Sequence, residues 1–301
     1  MGGSDHKRIM FKGTFTAIVT PFKDGKVDEA AFRDLIDFQI AGGVEGIVPV
    51  GTTGESPTLG RVEHLEVIRM AVEQAAGRTK VIAGTGANAT SEAIYLTEEA
   101  EKLGIDGSLQ VTPYYNKPSQ EGLYQHFRAV SECTELPIML YSVPGRSVVS
   151  IEPETAGRLA ADCDNILSIK EAGGDPVRVD LLKAALPEGF PILCGDDPLT
   201  IEFMKRGAVG LVSVASNIIP QAMSDLVRAM NAGDVAGAEA IHGKYEPLMS
   251  TLMGIDTNPV PIKAAVALMG MCEQEIRLPL VSLTDENMGV VKELLENFKL
   301  A

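Results

Sequence analysis

Eight short apolar runs recur along this chain, and each is followed by a longer stretch with helical periodicity. The runs are Phe15–Val19, Gly46–Val50, Val81–Gly84, Gly107–Val111, Ile138–Tyr141, Ile166–Lys170, Ile192–Cys194 and Gly210–Val214. Their apolar character is continuous rather than alternating, which suits strands covered on both faces. Between them, Phe32, Leu35, Ile36 and Ile40 form one helical stripe. Leu65, Ile68, Val72 and Ala75 form another, and Ala93, Leu96, Ala100 and Leu103 a third. Asp175-Pro176 and Asp197-Pro198 read as helix N-caps followed by proline, and Gly104 and Gly207 as left-handed helix ends.

Strict alternation leaves two α/β architectures, an open doubly wound sheet or a closed (β/α)8 TIM barrel. Eight evenly spaced units favour the barrel. The expected catalytic barrel domain is 9–232. A C-terminal helical domain is expected over 233–301, with helices near Ala236–Tyr245, Pro261–Met271 and Asp285–Phe298, the last carrying Val291, Leu294 and Phe298 on one face. Residues 1–8 read as a disordered leader or cloning remnant.

Charge narrows the partners. There are 41 acidic against 26 basic side chains, a net charge of −15. Such a surface repels phosphate backbones, which argues against nucleic acid and anionic membranes. No apolar run is long enough to span a bilayer. The four cysteines form no CxxC pair and fit free thiols in a reducing cytoplasm. The four histidines share no ligand spacing, so no metal site is expected.

In a barrel, chemistry sits at the C-terminal ends of the strands. The second strand leads into Gly51-Thr52-Thr53-Gly54-Glu55-Ser56, which is either an anion-binding backbone loop or a capped turn in which Ser56 or Thr58 starts a helix. The third ends in Gly84-Thr85-Gly86, read as a tight turn rather than a dinucleotide fingerprint, because a Rossmann fingerprint belongs on the first βα unit. The fourth runs into Tyr114-Tyr115, either rim packing or a proton relay. The fifth gives Tyr141 and, five residues later, Arg146, a fork for a carboxylate or a surface arginine. The sixth ends in Lys170-Glu171. A lysine closing a buried strand is either ion-paired, with Glu171 the nearest candidate, or a nucleophile. Desolvation favours the neutral amine of a buried lysine, which forms Schiff bases with carbonyl compounds. The seventh leads to Gly195-Asp196-Asp197, where glycine permits close approach of a ligand and the Asp-Pro cap accounts for Asp197.

Taken in order, the segments Gly51–Ser56, Val111–Pro118, Tyr141–Arg146, Ile169–Ala172, Gly195–Asp197 and Thr257-Asn258-Pro259 resemble the dihydrodipicolinate synthase family of the pyruvate-dependent class I aldolases, over about residues 11–283. The resemblance implies a lyase that condenses pyruvate with aspartate semialdehyde, in lysine and diaminopimelate synthesis, without a cofactor. It implies Lys170 as the Schiff-base lysine and Tyr141 as the proton shuttle. Thr53 and Tyr115 follow as relay partners, Tyr115 acting in the adjacent subunit of a homotetramer built as a dimer of dimers. Thr52 and Thr53 would hold the pyruvate carboxylate, Arg146 that of the aldehyde, and Gly195 and Val212 would line the site. Ser56, His64, Asn88, Glu92 and Tyr114 match the cleft where L-lysine inhibits some members, with Glu92 holding the ammonium and Arg61 standing where some members carry histidine. Two positions depart from the family pattern: Ser142 replaces the usual Asn, and Ser147-Val148 the usual Thr-Gly. A sialic acid or 2-keto-3-deoxy sugar-acid lyase would share Lys170, Tyr141 and the threonine loop, but such lyases generally lack the arginine at Arg146.

Overall fold

The computed structural model describes residues 11–300, so the expected leader at 1–8 lies outside the described residues. Strand β1 (Gly13–Ala17) is followed by a hairpin of β2 (Phe22–Lys23) and β3 (Lys26–Val27) and helix α1 (Glu29–Ala41). Next come β4 (Gly46–Val48), α2 (Arg61–Ala75), β5 (Lys80–Gly84), α3 (Thr90–Lys102), β6 (Gly107–Val111) and α4 (Gln120–Glu132). The second half holds β7 (Ile138–Ser142), a single helical turn α5 (Pro144–Ser147), α6 (Pro153–Asp162), β8 (Ile166–Glu171) and α7 (Val177–Ala185). It closes with β9 (Ile192–Cys194), α8 (Thr200–Lys205), β10 (Gly210–Ser213) and α9 (Pro220–Asn231). Three further helices follow: α10 (Val235–Gly254), α11 (Val260–Leu268) and α12 (Asp285–Phe298).

Eight parallel strands close into a barrel in the order β1-β10-β9-β8-β7-β6-β5-β4, so the closed alternative is the correct one. Closure buries two separate apolar layers. Phe15, Val48, Ile82, Leu109, Met139, Leu167 and Val212 fill the barrel interior. Phe32, Ile47, Ile68, Leu140, Ile169 and Leu226 pack strands against helices. All eight expected runs are barrel strands, with ends shifted by at most two residues. The β2–β3 hairpin lies outside the barrel and is too short to show a period.

Helix starts follow their caps. Asp28 accepts from Ala31 N, Ser119 from Gly122 N, Asp234 from Gly237 N and Thr284 from Asn287 N. Gly104 and Gly207 adopt positive φ after their helices, as expected. Three local expectations are corrected. Asp197 is no helix cap, because its carboxylate turns inward to the end of β10. Neither Ser56 nor Thr58 starts the helix: they lie in a short 3-10 turn, and α2 begins at Arg61 after Gly60. On α12 the fully buried residues are Val291 and Leu295, while Leu294 and Phe298 are partly buried.

Candidate active site

The C-terminal mouth of the barrel opens into a cavity of about 370 Å³. Its wall includes Thr52, Thr53, Tyr141, Arg146, Lys170, Gly195, Asp196, Val214, Met253 and Asn258. Lys170 comes from β8, whose register shifts so that Met139 pairs with Ser168 and Tyr141 with Lys170. Lys170 is 6% exposed, and its Nζ lies 4.1 Å from the centroid of the Tyr141 ring. Neighbouring strand residues face opposite ways, so Glu171 points outward. It accepts from Gly173 N at 2.7 Å and lies 3.6 Å from Arg178. The ion-paired alternative with Glu171 is therefore not formed. No ion pair of Lys170 is found among the described residues.

Gly195 leaves no room for a side chain against the end of β8. A Cβ at this position would sit 2.8 Å from Lys170 Cε and 2.6 Å from Ala172 Cβ. Beneath it, Asp197 is buried and accepts from Ser213 Oγ at 2.5 Å and from the amides of Val214 and Ala215 at 2.8 and 3.1 Å. Burial pushes its carboxyl up despite those donors. Burial, and then the neighbouring Asp197, push Asp196 up as well.

The Gly51–Ser56 loop is closed by two of its own amides, Glu55 N to Thr52 O at 3.1 Å and Ser56 N to Gly51 O at 3.2 Å. Thr53 is buried, and its hydroxyl accepts from Asn258 Nδ2 at 3.0 Å. The Asn258 carbonyl in turn accepts from Arg146 at 2.9 Å. Asn258 thus links the threonine loop to the arginine. Sequence alone assigns it no role, because its partners are remote in the chain. Its one signal is that it lies in Thr257-Asn258-Pro259, one of the segments that carry the resemblance.

The structure gathers Thr52, Thr53, Tyr141, Arg146, Lys170 and Gly195 around one cavity. Val212 packs in the barrel interior below, and the wall position on that strand end is Val214. Tyr115 does not face its own chain's cavity. It is 89% exposed with φ +75, on a loop tied down by Asn88 Nδ2 to Tyr114 O and Asn116 Nδ2 to Asn88 O.

A second, smaller cavity of about 210 Å³ adjoins the first and is lined by Ser56, Gly84, Gly86, Tyr114 and Tyr141 among others. His64 is buried nearby with Nε2 2.9 Å from Gly84 O, and burial holds its imidazole below the ordinary range. Burial, and then Glu92, push the Tyr114 phenol up. Glu92 is not open to receive an ammonium, because Arg61 pairs with both of its oxygens, Nε at 2.8 Å. Among the described residues, no group of three or more His, Cys, Asp or Glu is placed to hold a metal ion. No helix among them is long and apolar enough to cross a membrane.

A family model described as the dihydrodipicolinate synthetase family matches residues 10–298. A 4-hydroxy-tetrahydrodipicolinate synthase of Citrifermentans bemidjiense is 49% identical over 97% of this chain and 100% of its own. The solved dihydrodipicolinate synthase of Aquifex aeolicus superposes with a TM-score of 0.95 at 46% identity, over 96% of this chain and 99% of its own. A solved DHDPS of Cyanidioschyzon merolae with lysine bound has a TM-score of 0.93 at 38% identity, over 97% of this chain and 99% of its own.

Proposed function

This chain belongs to the dihydrodipicolinate synthetase family, and on that premise we propose that it condenses pyruvate with L-aspartate 4-semialdehyde, as a 4-hydroxy-tetrahydrodipicolinate synthase, through a Schiff base on Lys170. The observation that carries the reading is a buried lysine with no ion pair among the described residues, set over a tyrosine ring in a cavity that also holds an arginine and two threonines.

Each group has a step. The Lys170 amine attacks the keto carbon of pyruvate. A C–N bond forms, the carbonyl oxygen leaves as water, and Tyr141 passes the protons. The hydroxyls of Thr52 and Thr53 hold the pyruvate carboxylate. The protonated imine is an electron sink that acidifies the methyl group, so no external cofactor is called for. The enamine carbon attacks the aldehyde and forms the C–C bond, while Arg146 holds the second carboxylate as a fork. The substrate's amino group then adds to the imine carbon, closes the ring and expels the Lys170 amine.

We place the enzyme in the cytoplasm, in lysine and diaminopimelate synthesis, as a homotetramer in which Tyr115 completes the relay of an adjacent subunit. Its exposure on an anchored loop supports that role. L-lysine is proposed as a weak to moderate inhibitor at Ser56, His64, Asn88, Glu92 and Tyr114. Its ammonium must displace Arg61 from Glu92.

The test is loss of pyruvate in the presence of aspartate semialdehyde, with Lys170→Ala as control. Consumption by the wild type alone supports the reading. Absence of consumption, together with cleavage of N-acetylneuraminate or a 2-keto-3-deoxy sugar acid, would replace it with the sugar-acid lyase activity.

A further inference from the structure

Glu55 follows the two loop threonines and adopts φ +56, so the chain turns sharply there. Its side chain is buried at 1% exposure, with Oε1 2.5 Å from Lys263 Nζ of α11. Its other oxygen accepts from the Arg277 amide at 3.1 Å. Lys263 is itself 2% exposed. The Arg277 side chain continues the tie: it donates to Thr58 O at 3.1 Å and to Gly25 O at 3.0 Å, and it pairs with Glu63. The Phe22 ring of the β2–β3 hairpin lies 4.0 Å from both cations.

None of these partners lines the main cavity, and Lys263 and Arg277 lie more than two hundred residues beyond the loop in sequence. A buried ion pair is a poor source of stability, since a well-packed apolar pair can match it. What it does supply is a fixed geometry, because a charge taken out of water has few acceptable positions. Here the fixed residue is the one whose amide closes the turn on Thr52 O. Thr20 Oγ1 holds Gly54 O at 2.7 Å from the other side, and a Cβ at Gly54 would meet Val50 N at 2.9 Å. The loop is therefore pinned at the adjacent residues Gly54 and Glu55, and Glu55 is held from α11 and the segment that follows it.

We infer that Glu55, Lys263 and Arg277 are positioning residues for the Thr52-Thr53 loop, so that the C-terminal helices set how tightly this enzyme holds the carboxylate of its keto-acid substrate. The substrate part rests on the proposed condensation. The tie itself does not.

The decisive variant is the double substitution Glu55→Gln with Lys263→Met. It leaves no buried unpaired charge, and it keeps an acceptor for the Arg277 amide. Lys263→Met alone is compared with it. We expect the single variant to lose roughly 5–15 °C of Tm, and the double variant to regain most of that loss. In the double variant, amide hydrogen exchange over residues 51–58 should quicken about tenfold while the barrel strands keep their protection. KM for pyruvate should rise about five- to tenfold, with kcat and KM for the aldehyde changing less than about twofold. Unchanged loop exchange in the double variant, or recovery of pyruvate KM together with Tm, would overturn the inference and reduce the pair to a structural contact. Quickened loop exchange, with a wild type that forms no pyruvate imine, would uphold the tie and overturn the substrate assigned to the loop.

Discussion

Lys170 at the end of β8 and Lys263 in α11 are both almost inaccessible, at 6% and 2% exposure. Each stands over an aromatic ring, at 4.1 Å from Tyr141 and 4.0 Å from Phe22. They differ in partners. Lys263 meets a buried carboxylate at 2.5 Å, and burial lowers its ammonium while Glu55 opposes the shift. Lys170 faces a cavity, with the neighbouring Glu171 turned to the far side of the strand. Burial alone does not make a nucleophile. What distinguishes the two is whether a carboxylate has already taken the charge. The same contrast divides two arginines. Arg61 is paired with Glu92, whereas Arg146 donates to a backbone carbonyl and, among the described residues, has no carboxylate partner.

The contrast can be broken by exchanging the outcomes. Lys170→Ala should remove the covalent route and lower kcat by roughly 10³-fold or more, with Tm nearly unchanged, as read by steady-state rates and a thermal melt. Lys263→Met should do the reverse. It strands Glu55 as a buried charge and costs about 3–5 kcal/mol of stability in denaturant titration, while Lys170 still forms its adduct. Arg146→Ala should lower kcat/KM for the aldehyde about 10- to 100-fold and leave the pyruvate imine intact, because a charge-assisted hydrogen bond to substrate is lost. Arg61→Ala has the smallest effect. By releasing Glu92 it should sharpen L-lysine inhibition about two- to fivefold in a dose-response assay, the scale of an exposed ion pair. Unchanged inhibition there would show that the pair does not compete with the effector.

Much of this molecule was legible before its coordinates. The barrel strands are buried on both faces and mostly apolar, and their residues carry the signal locally, so all eight runs stand out. Lys170 was conspicuous for a local reason too, as a charge closing an apolar run. Glu55, Lys263, Asn258 and Asp197 were not. Lys263 lies in a helix so apolar that a single cation reads as a surface residue, yet it is buried. Glu55 sits among turn residues, where a carboxylate is ordinary. Asp197 precedes a proline, and the local cap motif masked its reach to Ser213. Each is defined by a partner on another element of the chain, and periodicity carries no information about such pairings. The departures Ser142 and Val148 fall differently. Ser142 is buried at the end of β7, register-paired with Glu171, while Val148 is 62% exposed at φ +67 just beyond α5.

The central claim is that Lys170, the buried lysine with no ion pair among the described residues, is the one that reacts. The most direct test is borohydride reduction in the presence of pyruvate, followed by intact-mass and peptide mapping of the wild type and Lys170→Ala. One reduced pyruvyl group per chain, mapped to Lys170 and absent from the variant, is the predicted result. An adduct on Lys263 or another lysine, or an adduct that survives Lys170→Ala, would contradict it.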